Sequence, residues 1–159
     1  MVRQEGNRLV IEEGLTRVYI ECWGESSLRV RMTAEPEMDQ NDWALCEKVE
    51  EVTPVITFTE VDVTDPWYKG EEWKKYHQTG TVATLINGKI TAEVSPEGWI
   101  RFLNQRGEVL TEEYWRNRNR INRYCVPICV DARELKPVMG SCDYELTARF
   151  EAYDDEKIF

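Results

Sequence analysis

An all-β fold, an antiparallel sandwich of two packed sheets, is what this sequence predicts, and three observations predict it. Apolar and polar residues alternate with period two in one segment after another, as strands do when one face lies on a core. Asn87-Gly88 separates two such segments, and this is the strongest short hairpin signal because a type I′ turn needs positive φ at both central positions. Four short strands fit between Thr81 and Thr111, which leaves no room for crossover helices and makes the sheet antiparallel.

The elements come in order. Leu9-Val-Ile11 is a short apolar run between Arg8 and Glu12, and in the next strand Thr16, Val18, Ile20 and Cys22 alternate with Arg17, Tyr19 and Glu21. Leu28-Arg-Val-Arg-Met32 is the clearest case, with Leu28, Val30 and Met32 on one side and two arginines on the other. Further strands are predicted at Trp43–Val49 and at Val55–Val63, the second rich in β-branched residues. The meander then runs through Thr81–Ile86, Lys89–Ser95, Trp99–Leu103 and Glu108–Thr111, with turns at Asn87-Gly88, Pro96-Glu-Gly98 and Asn104–Gly107. Two stretches break the rhythm: Thr64–Gly80 reads as a long loop, and an arginine-rich stretch from Arg116 continues irregularly through Pro127 toward Pro137-Val-Met-Gly140. Alternation returns in Tyr144–Tyr153, where Tyr144, Leu146, Ala148, Phe150 and Ala152 share a face.

The length of 159 residues predicts a single domain over 1–159. Twenty Lys and Arg against 30 Asp and Glu give a net charge of −10, which disfavours nucleic acid and anionic membranes as partners. The apolar runs fall far short of a bilayer span, and Met1–Arg8 lacks the apolar stretch of a signal peptide, so the expected location is cytoplasmic. Five cysteines, Cys22, Cys46, Cys125, Cys129 and Cys142, fit reduced thiols. Cys125 and Cys129 are spaced C-x3-C, but with one histidine in the chain no zinc site is expected, and no cofactor.

Several segments then resemble one family in order. Ala148-Arg-Phe-Glu-Ala-Tyr-Asp-Asp-Glu-Lys-Ile-Phe159 resembles the segment that closes the N-terminal β-sandwich of glycoside hydrolase family 31, the α-glucosidases and α-xylosidases. Leu28-Arg-Val-Arg-Met32, Trp43-Ala-Leu45, Gly88-Lys-Ile-Thr-Ala-Glu-Val94 and Ile100–Glu113 agree in the same order. The resemblance implies a galactose-mutarotase-like sandwich in front of a (β/α)8 barrel in the same polypeptide, with α-linked oligosaccharide as the substrate of the parent enzyme. It also implies that both catalytic aspartates lie in that barrel, and nothing in this chain matches the motifs around them. The expectation is a non-catalytic N-terminal domain, its chain ending before the Gly-rich turn that leads to the barrel, with no catalytic or metal-binding residue here and no assigned substrate-binding residue. The alternative is a free-standing carbohydrate-binding module.

Trp67, Tyr68, Trp73 and Tyr76 are the residues such a module would use, since sugar rings pack their C–H faces on aromatics; the bland reading is packing over a sheet edge or a neighbouring domain. Arg116, Arg118, Arg120 and Arg123 suit a phosphate or an acidic partner surface, against a solvated loop paired with Glu112 and Glu113. Asp154, Asp155 and Glu156 fan out in a turn and do not converge on a cation. His77 stands alone in an irregular loop, which argues against histidine-dependent mutarotase chemistry. Trp23, Trp43 and Trp99 lie on or beside strands and are expected in the core.

Overall fold

The first four strands fold back on one another in sequence order. β1 (Val2–Glu5), β2 (Arg8–Glu13), β3 (Thr16–Cys22) and β4 (Leu28–Thr33) form an antiparallel meander in the computed structural model, which describes residues 1–41, 50–62, 79–113 and 132–151. The register sets Leu9 opposite Ile20 and Ile11 opposite Val18, so one face presents four aliphatic side chains that are at most 2% exposed. The opposite face is not simply wet. Val10 and Tyr19 lie on it and are buried too, with the Arg8 guanidinium 4.5 Å above the Tyr19 ring. The long stems of arginine cover apolar surface while their heads stay paired and partly hydrated.

The second sheet begins with β5 (Val55–Asp62), β6 (Thr79–Asn87), β7 (Ile90–Val94), β8 (Ile100–Asn104) and β9 (Val109–Glu113), each antiparallel to the next. Ala83, Leu85, Ala92, Val94 and Ile100 face the first sheet and complete a cluster with Leu9, Ile11, Val18 and Ile20. Each of these larger aliphatics contributes about 1.5–3 kcal/mol on burial. Two sheets with a shared apolar interior make the sandwich that the alternation predicts.

After β9 come β10 (Arg133–Pro137) and β11 (Tyr144–Ala148), which among the described strands pair only with each other as a two-stranded ribbon, and β12 (Phe150–Glu151), which pairs with β9 at the edge of the second sheet. The base of the ribbon is pinned by a buried ion pair: Arg133 Nε lies 3.1 Å from Glu113 Oε1, and the two side chains are 5% and 3% exposed. Arg133 Nη2 also donates to Gly98 O at 2.7 Å, and Glu113 Oε2 accepts the Ile100 N–H at 2.8 Å.

Four expectations change on contact with the structure. The turn between β6 and β7 is not centred on Asn87-Gly88: Asn87 pairs with Ile90 as a strand residue, and only Gly88 of the turn has positive φ, at 57°, the sign pattern of a type II′ turn. The reason is the Asn87 side chain, whose amide donates to Gly24 O and Ser27 O at 2.7 Å each and so ties the second sheet to the turn before β4. The irregular stretch leading to Pro137 contains β10, and the alternation of Tyr144–Tyr153 changes partner at Arg149, whose N–H bonds to Ala132 O at 2.8 Å. β1 is an additional edge strand. The strand expected at Trp43–Val49 falls within 42–49, outside the described residues.

Candidate functional site: a charged cleft beside Trp23

A cleft of about 490 Å³ opens at one end of the first sheet. The β1–β2 turn, Glu5–Arg8, forms one wall; the end of β3 and the residues just after it, Glu21 to Gly24, form another; Arg29 at the start of β4 and residues 50–52 close it. Period-two alternation brings these side chains together. Glu5 sits opposite Arg8, Arg8 opposite Glu21, and Glu21 opposite Arg29, so one row across four strands alternates in charge.

Glu21 is the hub of that row. Its carboxylate accepts from Arg29 Nε at 3.2 Å, from Arg31 Nη2 at 3.0 and 3.1 Å, and from Arg8 Nη1 at 3.4 Å. Burial opposes its ionisation, yet the hydrogen bond and charge of Arg31, with Arg29 behind them, hold the carboxyl below the ordinary glutamate range. Glu5 is likewise held low by hydrogen bonds from Arg8 and Arg3. Arg29 also stacks on Trp23, with its guanidinium carbon 4.1 Å from the ring centroid.

This arrangement has a clear chemical character. A retaining glycosidase needs one carboxyl kept protonated as the acid and a second about 5–5.5 Å away as the nucleophile. Glu21 is stabilised as an anion, the opposite of a general acid. Glu97, a carboxyl that burial does push up, lies in the turn between β7 and β8 and does not line the cleft. The cleft offers ion-paired forks and one indole, which brace the sheet. Among the described residues, no group of three or more His, Cys, Asp or Glu is placed to hold a metal ion.

Of the residues singled out in the sequence, Trp99 is in the core at 3% exposure, as expected. Trp23 is not: it is half-buried at the cleft because the chain leaves β3 at Cys22, and its ring meets Arg29 instead of the aliphatic interior. Trp67, Tyr68, Trp73, Tyr76 and His77 lie in 63–78, the four arginines Arg116 to Arg123 with Cys125 and Cys129 in 114–131, and Asp154, Asp155 and Glu156 in 152–159, all outside the described residues. Cys22 and Cys142 are free thiols. Sequence reading passed over Arg133 and Glu21, and the signal available for Glu21 was its place opposite two arginine-bearing strands.

The chain also compares with known proteins. No family model matches it. A solved structure, the crystal structure of a GH31 α-xylosidase from a soil metagenome complexed with xylose, matches 98% of this chain at a TM-score of 0.71 and 34% identity. The fold is that of the N-terminal β-sandwich of glycoside hydrolase family 31. A curated relative, the uncharacterized family 31 glucosidase ORF2 of Pseudescherichia vulneris, is 34% identical over 149 residues, 88% of this chain. The chain spans 24% of that family 31 relative and 21% of the α-xylosidase chain, so it corresponds to one domain of much longer enzymes.

Proposed function

We propose that this chain is the non-catalytic N-terminal domain of a family 31 glycoside hydrolase, that its parent cleaves α-glucosidic or α-xylosidic bonds with retention, and that the domain supports a catalytic (β/α)8 barrel and borders the active-site rim. One observation carries this reading: nearly the whole chain superposes on about a fifth of an α-xylosidase. The chemistry of the cleft agrees, since its central carboxylate is locked in an ion-pair network and cannot serve as a proton donor. A cytoplasmic location belongs to the same proposal and rests on the sequence alone, in which the odd number of five cysteines fits reduced thiols.

The test is an assay on p-nitrophenyl α-glucoside and α-xyloside. The 159-residue chain is expected to give no turnover above buffer, and the product of its full reading frame is expected to hydrolyse at least one of the two. Hydrolysis by the chain itself, lost on mutating one of its own acids, overturns the proposal.

A further inference from the structure

We propose that the apolar face of the β10–β11 ribbon is the seat of the catalytic domain in the longer family 31 polypeptide, a surface assignment that rests on the function proposed above. The register puts Arg133 opposite Ala148, Leu135 opposite Leu146 and Pro137 opposite Tyr144, so these six residues share one face. At its base that face enters the core, where Arg133 is buried against Glu113. Farther out the same face meets solvent: Leu146 is 48% exposed and Tyr144 42%, its hydroxyl donating to Glu35, while Met139 in the turn beyond β10 is 97% exposed. A two-stranded ribbon alone is marginal in water, and one that shows its apolar side needs a cover.

Three considerations select the cover. The α-xylosidase match includes all but about 2% of this chain, hence the ribbon, inside a chain of which it makes up only 21%. A second copy of this chain is disfavoured, because each copy carries a net charge of −10. A sugar is disfavoured as well, since the leucines, proline and alanine offer no polar fork for hydroxyls and the one aromatic of the face, Tyr144, gives its hydroxyl to Glu35 at 3.2 Å. What fits is an apolar patch on a covalently tethered domain, an interface of the kind that covers about 600–1,500 Å² within one polypeptide. The buried ion pair at the base fixes the direction in which the ribbon is presented, so little ordering remains to be done on docking.

Amide hydrogen exchange tests this in the 159-residue chain and in the product of the full reading frame. Amides of residues 144–148 are expected to exchange at least about tenfold more slowly in the longer protein, while those of β3 are equally protected in both. In the longer protein Leu146→Asp is expected to restore fast exchange in the ribbon, and so is Met139→Asp, whose exposed position cannot compromise folding; Glu145→Gln, on the other face, is expected to change nothing. Protection of β3 reports that each variant is folded. Equal ribbon exchange in both proteins, or ribbon protection indifferent to both Asp substitutions, overturns the assignment. So does a dimer of the short chain that Leu146→Asp dissociates, or protection already complete in the short chain, since the cover would then be a second copy or the chain's own residues. A reading frame without a further domain overturns this proposal together with the function; a longer protein that protects the ribbon but hydrolyses neither glycoside sinks the function alone.

Discussion

Replacing Glu113 by alanine removes two things at once. The Ile100 N–H loses its acceptor at 2.8 Å, and an orphaned buried donor costs about 1–3 kcal/mol. Arg133, only 5% exposed, loses the carboxylate at 3.1 Å and keeps Gly98 O and a distant, half-exposed Glu13 at 3.7 Å. Breaking a buried pair from one side costs about 3–5 kcal/mol in all, because the remaining charge stays in the interior. With a urea dependence of about 2 kcal/mol/M, Glu113→Ala is expected to lower the midpoint of unfolding by about 2 M without changing the slope. Trp fluorescence and far-UV circular dichroism follow the transition. Glu113→Gln, which keeps an oxygen for Ile100, is expected to lose about half as much, and Arg133→Met added to Glu113→Gln to recover part of it, since an apolar substitute removes the stranded charge. Glu108→Ala, with its side chain 59% exposed, serves as the control. A Glu113→Ala variant within about 0.5 kcal/mol of wild type, the range of surface changes, would refute the claim that this pair holds the ribbon to the sheet.

Three further outcomes are expected from the same structure. Glu21 has a folded-state pKa below its unfolded value, so its contribution is present above about pH 4.3, the unfolded value, and is lost as pH falls through the folded one. With solvent screening that contribution is about 1 kcal/mol; Glu21→Gln should melt about 2–4 °C lower than wild type at pH 7 and no lower near pH 2, as calorimetry across pH will show. Gly88→Ala should cost about 2 kcal/mol in urea unfolding, because φ is 57° there and an added Cβ overlaps Ser26 Oγ, which accepts the Lys89 N–H; a neutral result means the turn relaxes freely. Leu85→Ala, fully buried at 0% exposure, should cost about 2–5 kcal/mol, and a smaller loss would mean the sandwich collapses around the gap.

The strands that sequence reveals are those that send alternate residues into the shared interior. Val18 and Ile20 of β3, Ala83 and Leu85 of β6, and Ala92 and Val94 of β7 lie there two residues apart, and period two is then written in residue type. β1 escapes because Val2-Arg-Gln-Glu5 is an edge strand with a single apolar residue. β10 escapes for a different reason: its most buried residue is an arginine, and the partners that make that burial tolerable, Glu113 and the Gly98 carbonyl, lie far away in sequence. Such a pairing has no periodicity to read. The Tyr144–Tyr153 pattern shows the converse, since alternation is blind to a change of partner at Arg149. At the cleft, the residue types were visible but not their convergence, because Glu5, Arg8, Glu21 and Arg29 meet only through the register of three strand pairs.

The order of strands bears on how the chain is made. Every pairing among the described strands joins neighbours in sequence except one, in which Phe150 and Glu151 return to Glu113 and Glu112. Local hairpins close in about 1–10 μs, far faster than a ribosome adds residues, so the meander through β9 can be in place while its outer edge still waits for both β12 and Arg133. An open edge is an invitation to pair with another chain. The two residues that wait there are glutamates. Until Arg133 arrives their charges oppose an intruding strand; afterwards Glu113 becomes the buried anchor of the ribbon. One carboxylate thus guards the unfinished sheet and later locks the finished one.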